Sequence, residues 1–225
     1  MADGTLWIGT KMLSSWSLRG WLAVHLAGLD VAEVVIGLDQ PDSAARIRAV
    51  SPGGTVPCLA HKGALVWESI AIAEYCAELA PGLWPTERRA RAHARAIAAE
   101  MHAGFRGLRS AMWMNIDPAF AARAAGRQRT PEALADIARI EALWRDTRMR
   151  FGEGGPYLFG ADFTLADAMY APVTTRFSTW RPELAADSWA YVEAVQAHPL
   201  MRRWFAEAAA EPDAWKTPKY FTVPA

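Results

Sequence analysis

Cysteine is nearly missing: Cys58 and Cys76 are the two thiols in 225 residues. Two thiols without tight spacing make neither a disulfide framework nor a zinc site. Lysine is scarce too, with 4 of the 24 cations, the other 20 being arginines spread along the chain. Twenty-four acidic residues balance them, so the formal net charge is zero. A nucleic-acid binder carries a basic excess, so none is expected as a partner. No apolar run reaches the roughly 18 residues of a membrane span. Met1-Ala2-Asp3-Gly4 shows no basic stretch leading into an apolar one, the mark of a secretory leader. A soluble protein of a reducing, cytoplasmic setting is the expectation. What is plentiful is apolar surface: 52% of residues are hydrophobic and 21% charged, a globular composition.

The first eighty residues alternate strand and helix signals. Leu6-Trp7-Ile8-Gly9 is a short apolar run and predicts a buried strand. Lys11 to Ser17 is a polar turn with three serines. Leu18, Leu22 and Leu26 recur every four positions and predict a helix from Trp16 to Leu26, stopped by Gly28. Val31, Val34, Val35 and Ile36 predict a strand over Val31 to Leu38. Pro41 to Val50 reads as a short helix or irregular turn, and Ser51-Pro52-Gly53-Gly54 as a loop. Thr55 to His61 and Ala64 to Trp67 form a hairpin turning on Lys62-Gly63. A helix from Ile70 to Leu79 ends at Pro81-Gly82. This order is compatible with a thioredoxin-like α/β domain over residues 1–82. Pro57 inside a strand pattern belongs at an edge or bulge, since it cannot donate to a ladder. Both cysteines fall at apolar positions, where packing is the expected role.

From Leu83-Trp84-Pro85-Thr86 onward no strand pattern appears, and residues 86–225 read as an all-helical domain. Ile97, Met101, Phe105, Leu108, Met112 and Ile116 predict one long helix from Glu87 to Ile116. Pro118 to Thr130 reads as a connector. Thr130 and Pro131 open a second helix running to Phe151. Thr164 and Asp167 have capping-box spacing and start a helix to about Phe177, kinked near Pro172. Two shorter helices are predicted near Ala186 to Ala197 and Pro199 to Ala210.

Four segments together resemble the cytosolic glutathione transferase family. They are Ser14-Ser15-Trp16-Ser17-Leu18-Arg19, Thr55-Val56-Pro57-Cys58-Leu59, Trp67-Glu68-Ser69-Ile70-Ala71-Ile72 and Thr164-Leu165-Ala166-Asp167. The nearest named class is zeta, whose members carry Ser-Ser-Cys-x-x-Arg at the first segment. Trp16 replaces that cysteine here. The resemblance implies glutathione as co-substrate, a small electrophile as the second substrate, and a homodimer.

It also implies roles for particular residues, beside the simplest role each has alone. Ser14 and Ser15 suit helix capping. In the family a serine here stabilises the glutathione thiolate, and both stay open as the candidate, Ser14 by a zeta-like and Ser15 by a delta- or theta-like alignment. Lowering a thiol pKa of ~8.5 by two units takes roughly 2.7 kcal/mol. One charge-assisted hydrogen bond supplies about 1.5–3 kcal/mol, enough for the task. Thr55, Val56 and Pro57 are candidates for pairing with the cysteinyl backbone of glutathione, with a cis bond before Pro57. Glu68 and Ser69 are candidates for its γ-glutamyl end, an acid for the ammonium and a helix start for the carboxylate. Gln40, Arg46, Arg48 and Lys11 stay open for the glycyl carboxylate. Met112, Trp113 and Arg109 on the long helix are candidates for the electrophile pocket, along a stripe with His102 and Arg106 whose default is a solvated face. Arg19 reads as structural. His102 lacks a partner at metal spacing, so no metal is expected. The alternative functions are a zeta-type isomerase and a non-catalytic binding protein.

Overall fold

The computed structural model describes residues 2–127 and 129–223. Strand β1 (Gly4–Gly9) lies inside a four-stranded sheet of order β2-β1-β3-β4. It runs parallel to β2 (Val31–Ile36) and antiparallel to β3 (Cys58–His61), which pairs antiparallel with β4 (Ala64–Trp67). Helix α1 (Ser15–Leu26) links β1 to β2, α2 (Ser43–Val50) follows β2, and α3 (Ser69–Leu79) follows β4. Leu6 and Ile8 of β1 and Leu18, Trp21 and Leu22 of α1 are wholly buried, which fixes the helix against the sheet. This is the thioredoxin-like arrangement expected for the first part of the chain. Glycine matters to the site at Gly20: a Cβ there would come within 2.7 Å of the Pro57 ring, so its absence lets the loop before β3 rest on α1.

All the remaining regular elements are helical among the described residues: α4 (Arg88–Ala103), α5 (Arg106–Ala111), α6 (Pro118–Ala124), α7 (Pro131–Phe151), α8 (Leu165–Trp180), α9 (Ala186–Ala197), α10 (Pro199–Ala209), a 3-10 turn (Asp213–Trp215) and α11 (Pro218–Phe221). Side-chain caps set several starts, with Glu87 accepting from Arg89 and Ala90, Asp117 from Phe120, and Thr130 from Ala133. Helix α8 runs unbroken past Pro172, and nearly all of it is buried between α1, α4, α6 and α9. One hydrophobic core runs from Leu6 and Trp21 to Trp144, Trp180 and Trp204.

The predicted helix from Glu87 to Ile116 is two helices. It breaks at Gly104 and Phe105, where Phe105 takes φ 59° and residues from Met112 to Asp117 leave the helix. The apolar spacing continues through the break because both pieces face one core. The connector after Pro118 contains α6, and the segment after α10 adds the 3-10 turn and α11.

That last segment is a strap over both parts of the chain. Glu211 accepts from the backbone N–H of Lys11 at 2.5 Å and of Met12 at 3.0 Å. The carbonyl of Tyr220 accepts from Trp113 Nε1 at 3.1 Å and Asn115 Nδ2 at 3.0 Å. Lys219 reaches Asp39 at 3.3 Å.

Candidate active site

Trp16, Thr55, Val56, Pro57, Glu68 and Ser69 line one cleft of about 260 Å3. Thr55, Val56, Pro57, Glu68 and Ser69 come together here, and the first stretch contributes Trp16, while Ser14 and Ser15 are not among the lining residues. The Val56–Pro57 bond is cis. Sheet pairing of this strand begins at Cys58, so the Val56 backbone sits outside the ladder. Glu68 stands just before α3 with φ 68° and ψ 127°, a conformation costly for a residue with a Cβ. Ser69, the first residue of α3, is 1% exposed, and its Oγ has no hydrogen-bond partner. Buried hydroxyls are nearly always paired, so an orphan one at a helix start in a cleft is suited to a ligand acceptor. No side chain caps α3. Together the acid, the hydroxyl and the helix start match a group bearing an ammonium and a carboxylate.

The two serines are engaged differently. Ser14 is the N-cap of α1: its Oγ accepts from the Ser17 N–H at 3.2 Å and donates to Ser17 Oγ at 2.8 Å. Ser17 Oγ in turn accepts from the Gly9 N–H at 2.8 Å, tying the helix start to the end of β1. Ser15 Oγ accepts from Arg176 Nη2 at 3.1 Å. Both serines are 7% exposed.

Cations crowd around Trp16. The guanidiniums of Arg19 and Arg109 lie 4.7 and 4.6 Å from its ring centroid, and the His102 ring meets it edge-on at 5.1 Å. His102 Nε2 is 3.8 Å from Glu68 Oε2. Arg19 donates from Nε to Met169 O at 2.8 Å, while its Nη1 and Nη2 are buried without partners. Arg109 is held by the carbonyls of Gly104 and Met101. Arg176 donates from Nη1 to Pro172 O at 3.1 Å. None of the three arginines forms an ion pair among the described residues. Burial first, then the neighbouring Arg109, depress Arg19 well below the usual arginine range and bring Arg176 down to about 9. Burial also lowers the His102 pKa, opposed by Glu68 and reinforced by Arg19 and Arg109.

Other candidates lie elsewhere. Met112 is wholly buried, and Trp113 packs on Phe120 and Trp180. Neither lines the cleft, and Arg109 approaches it through Trp16. His102, Arg106 and Arg109 do not share one helix face, because the helix breaks between them. Lys11 is committed to Glu33 and Glu207, Gln40 donates to Leu38 O, and Arg46 pairs with Asp42 at 3.7 Å. Cys58 and Cys76 are buried, and burial pushes Cys76 up to about 12. Sequence reasoning passed over Arg176. The available signal was one arginine inside the apolar stretch from Met169 to Phe177. Among the described residues no cluster of three or more His, Cys, Asp or Glu is placed to hold a metal, and no helix is long and apolar enough to cross a membrane.

Comparison with known proteins agrees with this geometry. A probable maleylacetoacetate isomerase of Caenorhabditis elegans is 26% identical over 161 residues, 71% of this chain and 72% of that protein. A glutathione transferase homologue from Burkholderia gl BGR1, solved with bound glutathione, superposes with TM-score 0.70 at 21% identity, covering 93% of this chain and 100% of that one. A theta-class glutathione S-transferase from Xanthomonas axonopodis pv. citri, also with glutathione bound, gives TM-score 0.64 at 21% identity over 94% and 99% of the two chains. Residues 13–79 match the model of the glutathione S-transferase N-terminal domain and residues 118–207 that of the C-terminal domain. Cleft, sheet order and both matched segments lead to one assignment: the chain belongs to the glutathione S-transferase family.

Proposed function

We propose that the chain is an enzyme that binds glutathione in the Val56–Ser69 cleft, ionises its thiol at the start of α1 and adds it to a small electrophile. The observation that carries this is the pairing of Glu68, held at φ 68°, with the orphan Oγ of Ser69 at the uncapped start of α3. Glutathione presents an ammonium and a carboxylate on one carbon, and this pair of groups meets both. Its cysteinyl backbone extends along Val56, with Thr55 and Pro57 beside it, which brings the thiol to Ser14 and Ser15. Rate gain comes from two sources. The thiol, with a pKa of ~8.5 in water, is converted to thiolate, and it is held close to the electrophile. Division into a glutathione-binding part (1–82) and a helical part (86–225), a homodimer, a cytoplasmic location and a detoxifying role complete the reading.

A second reading is a glutathione-dependent isomerase of the zeta kind. It is favoured by Arg19, Arg109 and Arg176, coupled cations without a carboxylate partner among the described residues, which suit a carboxylate-bearing electrophile. Maleylacetoacetate is such a dicarboxylate.

Retention on immobilised glutathione, followed by turnover with neutral and carboxylate-bearing electrophiles, tests both. The expected result is retention, with affinity about tenfold weaker in Ser69→Ala, the effect of one hydrogen bond to a charged group. Failure of the native chain to bind millimolar glutathione rejects the first reading, and a preference for neutral electrophiles rejects the second.

A further inference from the structure

We propose that Arg176 is the positioning residue that makes Ser15, rather than Ser14, the hydroxyl that holds the glutathione thiolate. The inference rests on the glutathione reading above. A serine hydroxyl has one proton to donate and two lone pairs. Ser14 Oγ directs its proton to Ser17 Oγ and accepts the Ser17 N–H, so it is occupied as a cap. Ser15 Oγ has accepted from Arg176 and keeps its own proton for another partner. Ser15 is the first residue of α1, where the free N–H groups of the helix also favour negative charge.

Arg176 is well placed to fix that hydroxyl. Its guanidinium folds along α8 onto Pro172 O and extends Nη2 across to Ser15, 161 residues away in sequence. The charged groups coupled to it are Arg109 from α5 and Arg19 from α1. Neither is a carboxylate, and Arg176 itself forms no ion pair among the described residues. A donor N–H on Ser15 Oγ polarises the O–H, and the buried cation stands one hydroxyl away from a thiolate bound there. An opposite charge at ~4–6 Å lowers an acid's pKa by about 1–3 units.

The test is the ionisation of bound glutathione, followed by thiolate absorbance against pH. Arg176→Gln should raise the bound thiol pKa by about one unit or more, with glutathione affinity within about threefold of native. Arg176→Lys, which keeps the charge, should recover part of that rise. Ser15→Ala should raise the pKa similarly, and the double variant should add little, since both act through one contact. Ser14→Ala should lower thermal stability and leave the thiol pKa in place. If native protein binds glutathione with a depressed thiol pKa that neither Ser15→Ala nor Arg176→Gln moves, the inference is wrong while the glutathione reading stands. If Arg176→Gln does not fold, Ser15→Ala decides: no rise overturns the proposal. A large rise in Ser14→Ala overturns it as well. Absence of glutathione binding in the native chain removes both readings.

Discussion

Glu33 shows what one side chain can hold together. Its carboxylate meets Lys11 Nζ at 2.9 Å, His25 Nε2 at 2.9 Å and Arg203 Nη2 at 2.9 Å, so β2, α1 and α10 converge on it. Lys11 also stacks over the rings of Trp21 and Trp204 at 5.1 and 5.2 Å. Burial works against the charge, but hydrogen bonds from His25 and Lys11 outweigh it and bring Glu33 from 4.5 to about 2. A depressed carboxylate contributes stability above its unfolded pKa, and that stability is lost as pH falls towards the folded value. Glu33→Gln should therefore lower stability by about 2 kcal/mol at neutral pH, allowing for solvent screening. It should also flatten the fall in melting temperature between pH 4.5 and 2, the interval spanned by the two pKa values. A native-like acid limb in that variant would show that other groups govern acid unfolding. At this scale the sequence disclosed what is local. Val56-Pro57 and Glu68-Ser69 each form one short segment, and their residue types already state a chemistry. Arg176 was hidden because its partner is 161 residues distant and pairing across the fold leaves no mark in spacing.

Helix starts and ends were legible where a capping residue announces them. Thr130-Pro131 opens α7, and Gly152 is its C-cap. The break between α4 and α5 was not, since periodicity reports which residues are buried and not whether the backbone is continuous. The capping box at the head of α8 proved to be more than a cap. Asp167 is fully buried, with Oδ2 accepting from the Thr164 N–H and hydroxyl, each at 2.8 Å, and Oδ1 from the Leu158 N–H and the Tyr191 hydroxyl, each at 3.0 Å. It ties α8 to the loop before it and to α9. Burial raises its pKa despite these donors. By linkage, a raised folded pKa gives a contribution present below the unfolded value of 3.8 and lost as pH rises through the folded one. Removal of the side chain is a different matter, because it strands the donors. Asp167→Ala should cost about 3 kcal/mol and lower the melting temperature by roughly 6–12 °C. Glutathione retention by the folded fraction should persist. Calorimetry beside the affinity assay checks this, and an unchanged melt with lost binding would give Asp167 another role.

At the scale of the whole molecule the sheet ends on two outer strands, β2 and β4, and β4 carries exposed apolar side chains. Strand β4 is paired on one side, and Leu65 and Trp67 on it are 44% and 41% exposed. Leu79 on α3 and Leu134 and Met149 on α7 add exposed apolar area. Such edges and patches are usually covered by a partner. Light scattering at micromolar concentration is expected to give twice the 24.7 kDa chain mass, and a single-chain mass would count against the homodimer. The strap joins the two parts of one chain in another way. Glu211 grips the amides of Lys11 and Met12, 200 and 199 positions earlier, just ahead of the serines. Every strand of the sheet has been synthesised by Trp67, yet the amides of Lys11 and Met12 meet their carboxylate partner only once Glu211 has emerged. Translation therefore sets an order: every strand of the sheet is available well before the carboxylate that fixes the turn ahead of Ser14 and Ser15.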